Sequence, residues 1–389
     1  MVTELLPLME RRRVLQLGAL LALPAALRVR AAAATQGLVL SAVSDPAGKH
    51  WLVAAQLDAA TARIAFRQPL PARAHHIAVH EALGRWIAVA RRPGTWLMLG
   101  DLETGEVHAE VEVPAGRHLY GHGVFSTDGR HFYTTESAFE DRDSDSGLVV
   151  EWALVQEQGR RNLQRGREFA TQGVGPHELL LMPDGATLVV ANGGMRTHPD
   201  TEREVLNLDS MQPSLVYLDC HSGAVLEQQF LPSELHQNSI RHLDVNADGL
   251  VGIGLQFQGQ AWMSVPLVAT HRRGEALRLL DAPPELQAQL QQYVGSVRFD
   301  HSGRFLAASC PRGNQLTFWD SASGTLLHNL RARDACGLSG IAGGFMFSSG
   351  TGRLAAIDLA GRNVQEFSLP ADWQGFWDNH MNLVGGQSA

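Results

Sequence analysis

Cysteine is nearly missing from this chain: Cys220, Cys310 and Cys336 are the only three in 389 residues. An odd, widely spaced set excludes a disulfide framework and a zinc ribbon. The three read as small buried hydrophobes, with one bridge at most open to them in an oxidising compartment. An excess of basic charge is missing too. The formal net charge is -8, which argues against nucleic acid as a partner, since phosphate binding needs a basic footprint. Several motifs do not occur: no Gly-x-Ser-x-Gly elbow, His-Glu-x-x-His, Walker loop or Rossmann fingerprint, and no Cys-x-x-Cys-His haem attachment. No window shows a long amphipathic helix; residues 283 to 292 form the best short candidate. What is plentiful is glycine, 39 residues, and histidine, 17.

Residues 11 to 34 read as an address. A basic start, Arg11-Arg12-Arg13, precedes an apolar run from Leu17 to Leu27 and four alanines, Ala31 to Ala34. That is the pattern of a signal peptide, and the run is too short for a stable membrane span. Arg11-Arg12-Arg13-Val14-Leu15-Gln16 resembles the twin-arginine motif. The expectation is a signal at 1–34, a mature domain at 35–389 without a transmembrane segment, and a periplasmic destination. An amphipathic membrane anchor is the alternative.

The remainder is repetitive. A turn glycine followed by a strand recurs at Gly84-Arg-Trp-Ile-Ala-Val-Ala, Gly129-Arg-His-Phe-Tyr-Thr-Thr, Gly185-Ala-Thr-Leu-Val-Val-Ala, Gly249-Leu-Val-Gly-Ile-Gly-Leu and Gly303-Arg-Phe-Leu-Ala-Ala-Ser. Asp precedes three of these glycines, and Asp-Gly supplies the positive φ of a tight hairpin. A second unit follows, an apolar strand and then Asp101-Leu-Glu-Thr-Gly105, Asp219-Cys-His-Ser-Gly223 or Asp320-Ser-Ala-Ser-Gly324. Strand, hairpin, strand, hairpin, strand is the four-stranded blade of a propeller. Blades are expected over 74–113, 120–169, 175–231, 239–280, 294–330 and 337–369. A seventh at 36–70 lacks an inner strand, which residues 379–384 can supply. The expected fold is an all-β, seven-bladed β-propeller, its ring closed by N- and C-terminal strands in one blade, which removes the exposed edges.

The polar residues fall at one end of this ring. His76, His122, His177, His242 and His380 each start an inner strand; the first four lie seven or eight residues before a turn glycine. The facing strand ends carry Arg91, Glu136, Asn192, Gln256 and Cys310, and an antiparallel hairpin sets them beside the histidines. Neutral imidazole is the commonest ligand of Fe, Cu and Zn. His76, His122, Glu136, His177, His242 and His380 are therefore the expected metal ligands, and Glu178, Asn192, Arg196, His198, Arg241 and Gln256 the expected small-ligand contacts. The competing reading is a wet, polar channel whose histidines bond only water and backbone. The insertion from Asn192 to Pro213 offers Arg196, His198 and Arg203 as a lid. Asp141-Arg-Asp143-Ser-Asp145 resembles the start of a calcium loop, but Ser146 and Trp152 replace the Gly and Glu it needs, so a solvated hairpin tip is the better reading.

Tyr120-Gly-His-Gly-Val-Phe-Ser, Thr134-Thr-Glu136, Gly175-Pro-His-Glu-Leu, Ala191-Asn-Gly-Gly, Thr197-His-Pro-Asp200, Pro213-Ser-Leu-Val-Tyr217 and Ser239-Ile-Arg-His-Leu together resemble the bacterial domain-of-unknown-function family 1513. Its members look like twin-arginine-exported propellers related to the quinoprotein amine dehydrogenase β-chain and YVTN-type repeats. They tend to be encoded near imelysin-like peptidases and di-haem thiol oxidoreductases. The resemblance implies an accessory role in iron uptake, with periplasmic iron-uptake proteins as partners; it carries over no catalytic residue. Three functions stay open: a non-catalytic metal- or ligand-binding accessory; an enzyme, lactonase-like hydrolase or oxidoreductase, with a channel histidine as base and Arg241 or Asn192 stabilising an oxyanion; and a protein-interaction scaffold.

Overall fold

The computed structural model describes residues 36–139, 146–157, 159–201 and 204–385. The expected signal at 1–34, the acidic stretch 141–145 and Arg203 lie outside the described residues. The described chain forms seven four-stranded antiparallel sheets. Six are consecutive in sequence: they begin with the strands Ala74–His80, Arg117–Phe125, Pro176–Leu181, Asn238–Val245, Ser296–Phe299 and Ala335–Ile341. In the seventh, Gly37–Ser44, His50–Asp58 and Thr61–Pro69 are joined by Phe376–Val384. The seven strands that begin the blades pack against one another in a closed ring and line the axis. The seven-bladed propeller with its mixed closing blade is thus the fold that the repeats predict.

Local chemistry explains the regularity. The turn glycines Gly84, Gly129, Gly185, Gly249 and Gly303 all have φ between 59° and 75°, a region that glycine alone enters freely. The aspartates of the second unit close their own turns: Asp101 Oδ1 accepts from the amides of Glu103 and Thr104, and Asp219 Oδ1 from those of His221 and Ser222. Between blades, alternate residues bury against the neighbouring sheet. Trp86 and Trp319 are fully enclosed, their indole N–H groups donating to Asp101 O and Thr317 Oγ1.

The closing strand is pinned at both levels. Ser41 Oγ donates to His380 O at 2.7 Å, across 339 residues of sequence. Arg73 grips Asp378 through Nε and Nη2 at 2.5 and 3.0 Å. One short helix, Pro284–Gln289, lies where the sequence suggests. The three cysteines are free and buried. No helix among the described residues is long and apolar enough to cross a membrane.

Candidate metal centre on the propeller axis

Inner strands would run straight past the axis if their pairing were regular. It is not. The ladder slips between Ala74 and His76, between Leu119 and Gly123, between Pro176 and Leu179, and between Ile240 and His242. An extra residue in one strand re-aims its side chains, and such bulges cluster beside functional sites. Here the irregular segments hold His75, His122, His177, Glu178 and Arg241.

The result is a compact knot of imidazoles. Ring centroids lie 4.7 Å apart for His122–His177 and His122–His380, 4.8 Å for His75–His122 and His75–His380, 4.9 Å for His177–His242, and 5.3 Å for His76–His122. All six rings are buried. Two trios have ligand atoms within 4.8 Å of one another: His75, His122 and His380; and His122, His177 and His242. Metal–nitrogen bonds of about 2.1 Å at tetrahedral angles hold two nitrogens about 3.4 Å apart. Closing either trio on an ion therefore shortens its nitrogen separations by up to about 1.4 Å, a matter of ring rotation and small shifts of the strands. His122 belongs to both.

Many of these nitrogens have no protein hydrogen bond. Both ring nitrogens of His75 and His380, and Nδ1 of His76 and His177, are buried without a partner. A buried polar atom left unsatisfied costs about 1–3 kcal/mol, so this concentration at one point is expensive unless something else occupies the nitrogens. Burial, with the charges of neighbouring arginines and imidazoles, holds His75, His122, His177 and His380 well below the ordinary imidazole range. The rings are neutral at neutral pH, which is the metal-binding form.

Glu178 organises one side of the cluster. Its carboxylate reaches His242 Nδ1 at 3.2 Å, His122 Nδ1 at 3.5 Å and Arg298 Nη1 at 3.6 Å, and accepts from Leu243 N at 3.1 Å. Burial alone would raise its pKa, but the His242 bond and the Arg298 charge outweigh that and hold it below the usual value. Glu178 is therefore ionised. Accepting from His242 Nδ1–H fixes the tautomer that leaves the lone pair of that ring on Nε2, the carboxylate–histidine arrangement that supports a metal from behind, whereas neither ring nitrogen of His122 makes a hydrogen bond. Gln256 Nε2 comes within 3.4 Å of His242 Nε2 and donates to Val294 O.

Of the expected ligands, the fold gathers His76, His122, His177, His242 and His380, and it adds His75. Glu136 is elsewhere. Its two oxygens accept from Arg165 Nη1 and Nη2 at 2.9 and 2.8 Å, in the outer part of its own blade. The slip between Leu119 and Gly123 puts Leu119, not His122, opposite Glu136, so the simple hairpin register misplaces it. Among the expected small-ligand contacts, Glu178, Arg241 and Gln256 are at the axis. Asn192 is structural, donating to Thr171 O and Ser214 Oγ. Arg196 borders a separate surface hollow with Asn207 and Gln172, and His198 packs its ring on Phe139 and pairs with Asp200 at 3.5 Å. The doublet His75-His76 was the available signal for the missed ligand: strict alternation allows one of two neighbours to face the axis, and a bulge allows both.

A cavity of about 510 Å³ opens onto the cluster, with His75, His177 and His242 in its wall. Comparison with solved structures returns propellers. The Pseudomonas aeruginosa periplasmic gluconolactonase PpgL is 17% identical over 90% of this chain and 98% of its own, with a TM-score of 0.56. A Bacteroides uniformis protein provisionally assigned as a 6-phosphogluconolactonase is 12% identical over 91% and 99%, at 0.59. Saccharomyces cerevisiae Sqt1 is 11% identical over 86% of each chain, at 0.55. At such identities the likeness establishes the fold alone. No curated protein matches the chain. The family whose sequence model covers residues 68–384, six complete blades and the closing strand, is described as protein of unknown function (DUF1513), and this chain belongs to it.

Proposed function

We propose that this protein is a metal-binding propeller, holding one transition-metal ion of the Fe, Cu or Zn class on its axis, and that it serves as an exported periplasmic accessory to iron handling. The observation that carries the metal reading is the pair of imidazole trios sharing His122, buried, neutral and rich in unpartnered nitrogens. Imidazole-only donor sets suit these metals rather than calcium or magnesium, which take oxygen ligands. Glu178 supplies the supporting carboxylate. The basic, apolar and alanine-rich segments of residues 11–34 support export, and the family resemblance supports the iron context. Enzymatic turnover draws on the shared fold only, which hosts unrelated activities.

The test is elemental analysis of protein purified without a histidine tag, from cytoplasm and from periplasm. About one metal per chain is expected, lost in His122→Ala and retained in Glu136→Gln. Metal-free protein that takes up no Fe, Cu or Zn on incubation would refute the reading, as would full occupancy in the double variant His122→Ala/His177→Ala.

A further inference from the structure

The cavity that opens onto the imidazoles has a second chemical character. Its wall contains Arg91, Arg92, Arg241 and Arg312, and among the described residues no carboxylate. In a chain of net charge -8, four guanidiniums around one hollow are a concentrated positive field.

Arg241 is the telling member. It is 9% exposed, and its Nε and Nη1 have no hydrogen-bond partner. Its guanidinium is a cation at neutral pH. An isolated buried cation is strongly unfavourable in a folded protein. Local features keep it there. A bulge in the strand Asn238–Val245 sets its direction. The backbone of Gly193 passes close by, and a Cβ at that position would meet Ser239 Oγ at 2.8 Å and Arg241 Nη1 at 3.0 Å. The other arginines are held rather than loose. Arg92 Nη1 donates to Thr197 Oγ1 at 2.6 Å. The Arg312 guanidinium lies over the Tyr293 ring, 4.2 Å from its centroid.

We infer that this cavity is a receptor for a small polyanion, a molecule bearing two or more carboxylate or phosphate groups. Guanidinium forks recognise both groups through paired N–H donors. One oxyanion group reaches inward to Arg241; the others meet Arg91, Arg92 and Arg312 nearer the mouth. The volume suits a ligand of metabolite size. The inference goes beyond the metal reading and does not depend on it, because the arginines provide the attraction with or without an ion among the imidazoles.

The test is calorimetric titration with citrate and with pyrophosphate in phosphate-free buffer at constant ionic strength, on metal-stripped, dialysed protein and on metal-loaded protein. At least one probe is expected to bind the metal-stripped protein. Arg241→Met is expected to weaken that binding at least tenfold, and Arg312→Gln, at an exposed position, at least threefold. The metal-free melting temperature of Arg241→Met should not fall, since the change removes a buried charge without a partner. Should Arg241→Met fail to fold, Arg312→Gln decides the matter. Absence of binding by both probes overturns the inference. So does wild-type affinity in the arginine variants, or binding seen only when metal is present, which would assign the anion to the metal alone. Failure of the metal reading leaves the metal-stripped titration intact.

Discussion

Arg165→Met tests the reassignment of Glu136 from metal ligand to structural anchor. Glu136 is fully buried, and its carboxylate is held by both terminal nitrogens of Arg165 and by Thr134 Oγ1 at 3.1 Å. Removing one partner of a buried ion pair costs about 3–5 kcal/mol, chiefly because the remaining charge is stranded. Methionine keeps part of the packing over Trp152, whose ring centroid is 5.2 Å from the Arg165 guanidinium carbon, so the loss is mainly electrostatic. Burial already raises the Glu136 pKa even with Arg165 opposing it; without Arg165 the carboxyl moves further up. A raised folded-state pKa favours the folded state below the unfolded value and withdraws that support as pH rises through the folded value. The deficit of Arg165→Met is therefore smaller at pH 5 than at pH 8. Glu136→Gln in the same background removes the stranded charge and should recover about 2 kcal/mol or more of the loss. Urea unfolding followed by circular dichroism at both pH values gives the full cycle. A cost below about 1 kcal/mol at pH 8, or strict additivity of the two substitutions, would refute the assignment.

Four further outcomes are expected from the structure and the sequence. Glu178→Gln should weaken metal binding about 10–100-fold, the usual effect of losing a carboxylate behind ligating histidines, measured by competition with a chromogenic chelator; unchanged affinity would remove Glu178 from its positioning role. Burial brings His118 down to about 4, against an opposing bond from its Nδ1 to Leu119 O. Its neutral form then supports the fold above the unfolded value of about 6.5, and that support, up to about 3 kcal/mol, is lost as pH falls from 6.5 towards 4; His118→Phe should flatten that part of the stability–pH curve. Gly100→Ala drives a Cβ to 2.1 Å from the fully buried Trp86 ring, and overpacking of this kind costs about 1–3 kcal/mol, read as a lower urea midpoint. Replacing Arg11 and Arg12 with lysine should leave the precursor in the cytoplasm if the twin-arginine address is used, as cell fractionation would show.

The blades were legible because each is written in short-range chemistry. Asp-x-x-x-Gly turns close on their own amides, and every turn glycine identified in the repeats has the positive φ expected of it. The closing strand was legible for a different reason: one blade lacked an inner strand, and residues 379–384 had the composition to fill it. The site was legible only as a zone. His122, His177, His242 and His380 share it because a ring converts equal positions in successive repeats into neighbours. Hydrophobic alternation carries no signal for a ladder slip, so His75 was passed over and Glu136 was set beside the wrong residue. Arg241 was expected as a ligand contact and Arg91 at a facing strand end, but the other two arginines of the cavity escaped for a related reason. Arg92 and Arg312 stand in connections after the second strands of their blades, and only the closed ring turns those connections towards a common hollow.

His380 sits on the strand that completes the seventh blade. One imidazole of the cluster is therefore delivered by the same stretch of chain that locks the two ends of the torus together. An ion bound by His75, His122 and His380 would fasten that latch from inside, tying the last staple of the architecture to two further blades. Opening of the seam and release of the ion would then be one event, and the rate at which a chelator extracts metal would report how often the toroid comes undone.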